Sequence, residues 1–269
     1  NYKTYSEYWN QKLAKKIIKN KKADLIYSAN TLSHIKNLNE IFKAINIALS
    51  KNGILILEDP SLLQCLKNVA YDQFYCEHIY VFSTLALKNI LQKFNLEIFN
   101  IENTKTHGGS NRYFIKKKLK NKYKINKNVN KEIYKELKFG LHKFLTYKKF
   151  QVNVSKSKKK LLNIFKILMK KKLKIIGYGA TAKSCTVLNY CGIGKNSIKY
   201  FFDTTSYKVN KYLPGSKILI KKYKKLDISK IDVVYLGAWN FKDEIFKKEK
   251  KFILSGGKFI THVPYPKLI

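Results

Sequence analysis

The chain has 269 residues, enough for one or two domains, and its 45% hydrophobic content excludes wholesale disorder. No apolar run approaches the roughly 18 residues of a membrane-spanning helix, and no secretory signal opens the sequence. The formal net charge of +38 suggests nucleic-acid binding, but Arg112 is the single arginine among 55 basic residues. Because nucleic-acid recognition normally recruits arginine, a general lysine bias explains the charge better, and we predict no nucleic-acid or membrane partner.

Cysteine usage indicates a reducing compartment. The four cysteines have no C-x-x-C spacing and are Cys65, Cys76, Cys185 and Cys191. This spacing argues against a zinc knuckle or a disulfide framework, so we expect buried thiols and a cytoplasmic protein. Because the sequence begins at Asn1 rather than Met, we also expect that an N-terminal part is missing.

Residues 22–58 predict a strand, a helix and a second strand. The segment ADLIYSAN is a short apolar strand, and NLNEIFKAINIALS carries apolar residues at helical spacing. The segment KNGILILEDP predicts a turn and then a buried strand that stops at Pro60. This alternation of strand and helix indicates a parallel α/β architecture.

Residues 83–170 continue with a helix, a strand pair and a helical stretch. Ser83 is a good N-cap for a helix over TLALKNILQKF, and LEIFNIENT and RYFIKKK predict two strands joined through HGGSN. Residues 117–170 combine charge runs with amphipathic helical patterns that Gly140 alone interrupts. We interpret this stretch as a helical connector between two domains.

Residues 171–269 predict a second, small α/β unit with an open parallel sheet. The segment KKLKIIGYGATAKSCTVLNY predicts a strand, a glycine turn and a helix. A further strand lies in IKYFFDTTSYKVNKYLPG, a strand and a helix in IDVVYLGAWNFKDEIFKK, and a last strand in GGKFITHVP.

The segment GYGATAK, residues 177–183, predicts an anion-binding turn. Exposed N–H groups and the helix dipole favour an anion there, Gly177 and Gly179 allow its close approach, and Lys183 adds charge. The dinucleotide fingerprint G-x-G-x-x-G is matched with Ala182 in its last position, and Asp203 ends the next strand, where a ribose hydroxyl often binds. A nicotinamide dinucleotide site and a tight turn without a ligand therefore both stay open.

The segment THGGSNRYF, residues 106–114, places two glycines between the strands of the predicted pair. Glycine lets the backbone bend tightly or approach a ligand, and His107 and Arg112 flank this turn. A single arginine in a lysine-rich chain suggests bidentate contact with a carboxylate or phosphate. A hairpin turn without a ligand is the alternative.

The segment YDQFYCEHIYVFS, residues 71–83, brings Tyr75, Glu77 and His78 close together. On a turn or short helix, Tyr75 and His78 can share one face. Histidine is the usual general base near neutral pH, and tyrosine can donate a hydrogen bond to a developing oxyanion. The segment is thus either a proton-handling site or a well-packed turn in a core.

The chain resembles the S-adenosylmethionine-dependent C-methyltransferases of nucleotide-linked deoxysugars in motifs that occur in the same order, SANTLSHIKNL, FYCEHIYVFS, THGGSNR, GYGATAKSCTVLNYCGI, FFDTTSYKVNKYLPG and AWNFKDEI. The resemblance covers nearly the whole chain. It implies an N-terminal zinc-binding domain, a central methyltransferase domain and a C-terminal Rossmann-like domain. This sequence has no zinc domain and no glycine-rich loop for the cofactor. We therefore expect the C-terminal half of a class I methyltransferase domain at 1–116, the connector at 117–170, and the Rossmann-like domain at 171–269.

The resemblance implies the roles of the predicted site residues. His78 would take a proton from the carbon beside a 4-keto group, Tyr75 would steady the enolate, and Glu77 would lie beside them. Asn30 and His34 would border S-adenosylmethionine, and zinc would be confined to the missing N-terminal domain, with no metal bound by this chain. The residues implied to contact the nucleotide-diphosphate sugar are His107, Arg112, Gly177, Gly179, Lys183, Asn189, Tyr190 and Tyr207.

Two alternatives stay open at this point. A truncated chain without its cofactor loop could be a non-catalytic nucleotide-sugar-binding remnant. The glycine turn and Asp203 instead favour a nicotinamide-dependent oxidoreductase.

Overall fold

The computed structural model describes residues 3–19, 21–118 and 122–269. They form two compact units, Asn1–Gln64 with Cys76–Thr146 and Cys65–Tyr75 with Tyr147–Ile269. We call these the first and the second unit. The predicted domain start at Asn1 and positions 119–121 of the predicted connector lie outside the described residues.

The first unit is a four-stranded sheet with helices. Its elements in chain order are α1 (Gln11–Ile17), β1 (Ala23–Ala29), α2 (Leu38–Ala48), β2 (Leu49–Pro60), the first half of α3 (Leu62–Lys67), α4 (Thr84–Gln92), β3 (Leu96–Thr104), β4 (Ser110–Lys117) and α5 (Lys127–Phe139). The strand order is β1-β2-β4-β3. β1 and β2 are parallel, and the other two pairs are antiparallel. The predicted strand–helix–strand and the strand pair joined through HGGSN are therefore confirmed.

The core of the first unit follows from the apolar spacing of its helices. In α2, Ile41, Phe42 and Ile45 are buried, as the helical period requires, and they join the core formed by β2, β3 and β4. The side chain of Asn37 caps α2 by accepting from the N–H of Glu40. α1 was not predicted, because its seven residues contain only two buried apolar positions, Leu13 and Ala14.

Helix α4 is capped by groups from two parts of the first unit. Ser83 Oγ accepts from the N–H of Ala86 at 3.1 Å, which confirms the predicted N-cap. Glu136 of α5 accepts from the N–H groups of Thr84 and Leu85 at 2.6 and 3.1 Å. Together these contacts satisfy three of the amide groups that the start of a helix leaves unpaired.

We expect Ser83→Ala to lower the free energy of unfolding by about 1 kcal/mol, because the N–H of Ala86 loses its acceptor. Ser83→Gly is the matched variant and should cost only about a few tenths of a kcal/mol. Urea unfolding of both variants measures the difference. A loss in the alanine variant no larger than in the glycine variant would contradict the capping role.

The second unit is a six-stranded, mostly parallel sheet with helices. Besides Cys65–Tyr75 it contains α6 (Phe144–Lys170), β5 (Ile175–Tyr178), α7 (Ala182–Cys191), β6 (Phe201–Asp203), β7 (Ile220–Lys222), β8 (Val233–Leu236), α8 (Lys242–Lys248), α9 (Lys250–Leu254), β9 (Lys258–Thr261) and β10 (Lys267–Leu268). The strand order is β10-β9-β8-β5-β6-β7, and only the β10–β9 pair is antiparallel. The predicted α/β class with a small parallel sheet is confirmed, and the short strands β7 and β10 were missed.

The predicted connector, residues 117–170, contains the whole of α5 and of α6. Gly140 ends α5 in the left-handed conformation, at φ +88°, which is a common helix terminus. α5 belongs to the first unit, and α6 begins at its end and continues in the second. None of the described helices combines the length and apolar character that crossing a membrane requires.

Candidate active site

Polar residues of the first unit meet at one edge of its sheet. Glu58 and Asp59 lie near the carboxyl end of β2, and the strand register places them opposite Arg112 and Asn111 at the start of β4. β1 runs parallel to β2, so its end lies at the same edge, with Ala29 opposite Glu58. Ligands of parallel α/β sheets bind at such edges, so this is the candidate site of the first unit.

His34 and His78 lie side by side in the first unit. Their ring centroids are 4.9 Å apart, and the rings meet edge to face at 68°. His34 ends a single helical turn, Leu32–His34, that follows β1. The N–H of Tyr80 donates to the Ser33 carbonyl at 3.1 Å and so joins the two segments. The structure thus brings together one predicted cofactor residue and the predicted base.

The other two residues of the predicted catalytic motif are separated by the unit boundary. Glu77 is exposed and belongs with His78 to the first unit, whereas Tyr75 is half-buried and is the last residue of the segment Cys65–Tyr75 in the second. Their joint action with His78 stays a prediction.

Asn30 presents an acceptor to this edge of the sheet. It follows β1 with φ +52°, and its N–H donates to the Glu58 carbonyl at 2.7 Å. Its side-chain Oδ1 is buried and has no hydrogen-bond partner among the described residues. A buried acceptor without a donor is costly, so Asn30 fits the predicted contact with a hydrogen-bond donor of a cofactor.

Asp59 is a functional candidate that the sequence interpretation missed. Its side chain is 2% exposed, and Oδ1 accepts from the N–H of Ser33 at 3.3 Å. Burial raises the pKa of Asp59 to about 6, although the proximity of Ser33 and the charge of His34 act in the opposite direction. A buried carboxyl with a pKa in this range is typical of a functional site. The acidic pair ending a buried strand in LEDP was the available signal.

We expect Asp59→Asn to raise the free energy of unfolding at pH 8 but not at pH 4. The folded-state pKa, about 6, lies above the ordinary value of 3.8, so the wild type loses stability as pH rises from 4 to 6. A shift of this size corresponds to on the order of 3 kcal/mol at pH 8. Urea unfolding at both pH values measures this change in the free energy of unfolding. Asp24→Asn, at the exposed start of β1, is the control and should not gain stability at pH 8. An equal change at the two pH values would contradict the prediction.

Arg112 is held by two carboxylates of its own unit. Its Nε and Nη2 lie 2.9 and 2.8 Å from Glu58 Oε2, and its Nη1 lies 3.7 Å from Glu102 Oε2. Burial opposes ionisation of Glu58, but the hydrogen bond and charge of Arg112 outweigh it and hold the pKa of Glu58 below its usual value. Arg112 therefore contacts carboxylates of the protein itself. Its contact with the substrate stays a prediction.

The HGGSN turn approaches α3 closely. His107 and Gly109 have φ values of +53° and +129°, and a Cβ on Gly109 would lie 2.7 Å from the Gln64 side chain. The N–H of Ser61 donates to the Gly109 carbonyl at 3.1 Å. Close packing thus explains Gly109, and the substrate contact predicted for His107 stays a prediction.

In the second unit, side chains of the protein itself form hydrogen bonds with the backbone of the predicted anion-binding turn. Asp203 accepts from the N–H of Ala180 and of Thr205, both at 2.8 Å. The Lys208 ammonium donates to the Ala180 carbonyl at 2.9 Å and lies 3.7 Å from Asp203. Thr181 and Ser184 form a capping box at the start of α7. Asp203 thus stabilises the turn itself, and its ribose role in the nicotinamide alternative stays a prediction.

A cavity of about 360 Å³ adjoins this turn. Its wall contains aromatic residues and charged residues of both signs, including Tyr178, Phe202, Tyr223, Phe241, Lys208 and Glu244. Among the predicted substrate residues of the second unit, Gly179 borders this cavity. A Cβ on Gly179 would lie 2.5 Å from the Ala238 Cβ, and one on Gly177 would lie 2.3 Å from the Phe201 ring. Packing therefore requires glycine at both positions.

The other predicted residues of the second unit lie away from the turn or are buried. Lys183 is 7% exposed, and burial lowers its pKa while the charges of Asp72 and Cys65 oppose that shift. Asn189 and Tyr190 are in the last turn of α7, about 11 to 12 Å along the helix from its start at a rise of about 1.5 Å per residue.

Contacts within the second unit give these residues structural roles. The Asn189 amide donates to the Pro214 carbonyl at 3.2 Å, and the Lys158 ammonium lies 4.5 Å from the Tyr190 ring centroid. Tyr207 is 70% exposed. Their roles toward a substrate stay predictions.

A largely buried polar network in the second unit was also missed. Asp72 Oδ2 accepts from Trp239 Nε1 and lies 3.2 Å from His262 Nε2, while His262 Nδ1 lies 3.2 Å from the Tyr235 hydroxyl. Asp72, Tyr235 and His262 are each 0% exposed. The network ties the Tyr71–Gln73 turn into the second unit. Its partners are up to 190 residues apart, which no local pattern reveals.

Comparisons with known proteins match two successive parts of the chain to two families. Residues 105–264 match the family of the C-methyltransferase C-terminal domain, and residues 3–101 match a methyltransferase domain. The C-methyltransferase NovU of Streptomyces niveus is 28% identical over 247 residues, which cover 92% of this chain and 59% of that relative. The chain thus spans about three-fifths of the length of the curated relative it matches. Among the described residues, no group of three or more His, Cys, Asp or Glu could hold a metal ion.

Proposed function

The chain belongs to the C-methyltransferase family, and from this premise we propose that it methylates the carbon beside the keto group of a nucleotide-linked 4-keto-deoxysugar. S-adenosylmethionine is the proposed methyl donor. The observation that carries the proposal is the contact between the His34 and His78 rings beside the carboxyl ends of β1 and β2. The carboxyl ends of neighbouring parallel strands, such as β1 and β2, are where α/β proteins bind their ligands.

His78 is the proposed general base. The keto group acidifies the neighbouring carbon, so its C–H bond breaks, the proton passes to the His78 imidazole, and the electron pair becomes an enolate. Tyr75 donates a hydrogen bond to the enolate oxygen, and Glu77 contacts a substrate hydroxyl or orients the His78 ring. The chemistry that S-adenosylmethionine supplies when bound is an electrophilic methyl carbon.

Asn30 and His34 are the proposed cofactor residues of this chain. The buried Oδ1 of Asn30 has no donor among the described residues, which supports a contact with an amine or hydroxyl of the cofactor. His34 follows β1 by one helical turn, so it borders the same end of that strand.

Each unit contains proposed substrate residues. His107 and Arg112 lie at the start of β4 in the first unit. In the second unit, Gly177, Gly179 and Lys183 are proposed to receive the nucleotide diphosphate, with the cavity beside Gly179 as support. Three further residues of that unit are proposed to contact the sugar and the nucleotide, namely Asn189, Tyr190 and Tyr207.

A methyl-transfer assay with the protein expressed from its complete gene tests the proposal. The protein is incubated with S-adenosylmethionine labelled in its methyl group and a nucleotide-diphosphate 4-keto-deoxysugar. We expect the label to enter the sugar and the C–H bond beside the ketone to exchange with deuterated water. Tight binding of the nucleotide sugar without either reaction would favour the non-catalytic remnant.

A further inference from the structure

The cavity beside Gly179 lies at the carboxyl ends of three neighbouring parallel strands of the second unit. Tyr178 ends β5, Asp203 ends β6 and Ala238 follows β8, and these residues line the cavity of about 360 Å³. The chain continues from β5 to β6 on one side of β5, whereas β8 pairs with β5 on its other side. Open α/β sheets bind ligands where the strand order reverses in this way, and small-molecule sites have volumes of roughly 300–1,000 Å³. The cavity therefore has the place and the size of a ligand site.

Four aromatic rings line this cavity. The Tyr223 ring meets the Tyr178 ring at 61° with centroids 5.5 Å apart, and it meets the Phe202 ring at 75° with centroids 6.2 Å apart. The Tyr223 hydroxyl donates to Glu249 Oε1 at 2.6 Å, which holds this ring in place. The fourth ring is that of Phe241, which is 50% exposed. A wall of this kind favours a flat aromatic group such as a nucleobase, because a base packs well against aromatic side chains.

The charged groups of the cavity wall favour an uncharged group inside the cavity. The carboxylate of Asp203, a residue that is 8% exposed, accepts from the N–H groups of Ala180 and Thr205. Lys208 Nζ lies 3.7 Å from this carboxylate and also donates to the Ala180 carbonyl. Glu244 adds a second carboxylate to the wall. A phosphate inside the cavity would therefore meet negative charge, whereas a base and its ribose carry no charge to be repelled.

Lys248 is the cation of the cavity wall that is available to the charged part of a ligand. It lies in the last turn of α8 and is exposed, and its ammonium is 3.5 Å from the Tyr223 ring centroid. Within the part of the chain that the structure describes, no ion pair engages this ammonium. An ammonium held over an aromatic ring at the cavity wall can form a charge-assisted hydrogen bond with a phosphate oxygen.

We propose that this cavity binds the nucleoside part of a nucleotide, with the base against Phe241 and the Lys248 ammonium facing the phosphates. The proposal rests on the proposed function, because it names the part of the nucleotide sugar that the cavity receives. The base and the ribose fill the cavity, and the diphosphate lies outside it. Phe241 and Lys248 are thereby assigned to the site, in addition to the residues predicted from the sequence.

Calorimetric titration of the protein from the complete gene with CMP, UMP, dTMP, AMP, GMP and inorganic pyrophosphate tests the site without an assay of activity. We expect at least one nucleotide to bind more tightly than pyrophosphate, because the base adds contacts inside the cavity. In Phe241→Ala, the affinity for that nucleotide should fall about tenfold, as the loss of a base–aromatic contact predicts, and Phe241→Tyr should restore it. Tyr265→Ala removes another side chain of the second unit that is 50% exposed, and this control should bind like the wild type.

Two results of these titrations would overturn the proposal. One is that pyrophosphate binds at least as tightly as every nucleotide, and the other is that Phe241→Ala keeps the nucleotide affinity of the wild type. Lys248→Ala tests the orientation of the ligand, because it should weaken the nucleoside diphosphate of the preferred base and leave the affinity for the nucleoside alone unchanged. An equal loss for both ligands would contradict a phosphate contact of Lys248.

The nucleoside site and the proposed function can fail separately. If a nucleotide binds as expected but no methyl group reaches the nucleotide sugar, the proposed function fails while the nucleoside site stands. If methyl transfer occurs and Phe241→Ala leaves both the KM for the nucleotide sugar and the nucleotide affinity unchanged, the site fails while the function stands.

Discussion

Replacing His78 by glutamine is expected to lower the rate of methyl transfer at least about 100-fold while leaving the binding of S-adenosylmethionine intact. Glutamine keeps a polar side chain of similar length, but it cannot accept a proton from carbon. His78 is half-buried with its ring against His34, so the substitution removes the base with little change in volume. Single-turnover measurements with the protein from the complete gene give the rate, and calorimetry gives the affinity for the cofactor.

His142→Gln is the matched control for this prediction. His142 is exposed and belongs to the first unit, like His78, and nothing places it in the candidate site. We expect its variant to retain the wild-type rate. Near-normal turnover of His78→Gln would remove His78 from the role of base, and a parallel loss of cofactor affinity would indicate a structural role instead.

Replacing Asp72 by alanine is expected to destabilise the second unit by roughly 2–6 kcal/mol. Trp239 Nε1 and His262 Nε2 would both lose their acceptor in a region where His262 is 0% exposed. Each buried polar group left unpaired costs about 1–3 kcal/mol. Urea unfolding in a Trp9→Phe background measures the effect, because Trp239 is then the single tryptophan and reports on the second unit.

Asp243→Ala is the control for the Asp72 variant. Asp243 lies in the first turn of α8, and its side chain is 97% exposed. Its removal should cost less than about 1 kcal/mol, because an exposed charge near a helix start contributes only that much. If Asp72→Ala lowers the free energy of unfolding as little as Asp243→Ala does, the buried network does not stabilise the second unit as predicted.

Much of the fold could be predicted from the sequence because its determinants are local. The helical spacing of Ile41, Phe42 and Ile45 and the N-cap at Ser83 each act within a few residues, and both predictions are confirmed. Strands β7 and β10 could not be predicted, because three and two residues carry too little pattern. They pair only once a neighbouring strand is in place.

The candidate site could be predicted less completely, because its groups come from distant parts of the chain. His78 was singled out by its neighbours in sequence, but its contact with His34 depends on how the first unit folds. Arg112 was singled out as a lone arginine, yet its partner Glu58 is 54 residues away. Asp59 and Asp72 were missed because burial and unpaired oxygens, not local spacing, set them apart.

The segment Cys65–Tyr75 belongs to the second unit but is synthesised long before the rest of that unit. Asp72 meets His262, which the ribosome adds 190 residues later. At bacterial and eukaryotic elongation rates this delay is roughly 10–40 s. During that time Val69 and Tyr71, both buried in the finished second unit, have no core to enter. We therefore expect the nascent chain to recruit chaperones at this segment, and shortened chains that end at Thr146 to aggregate.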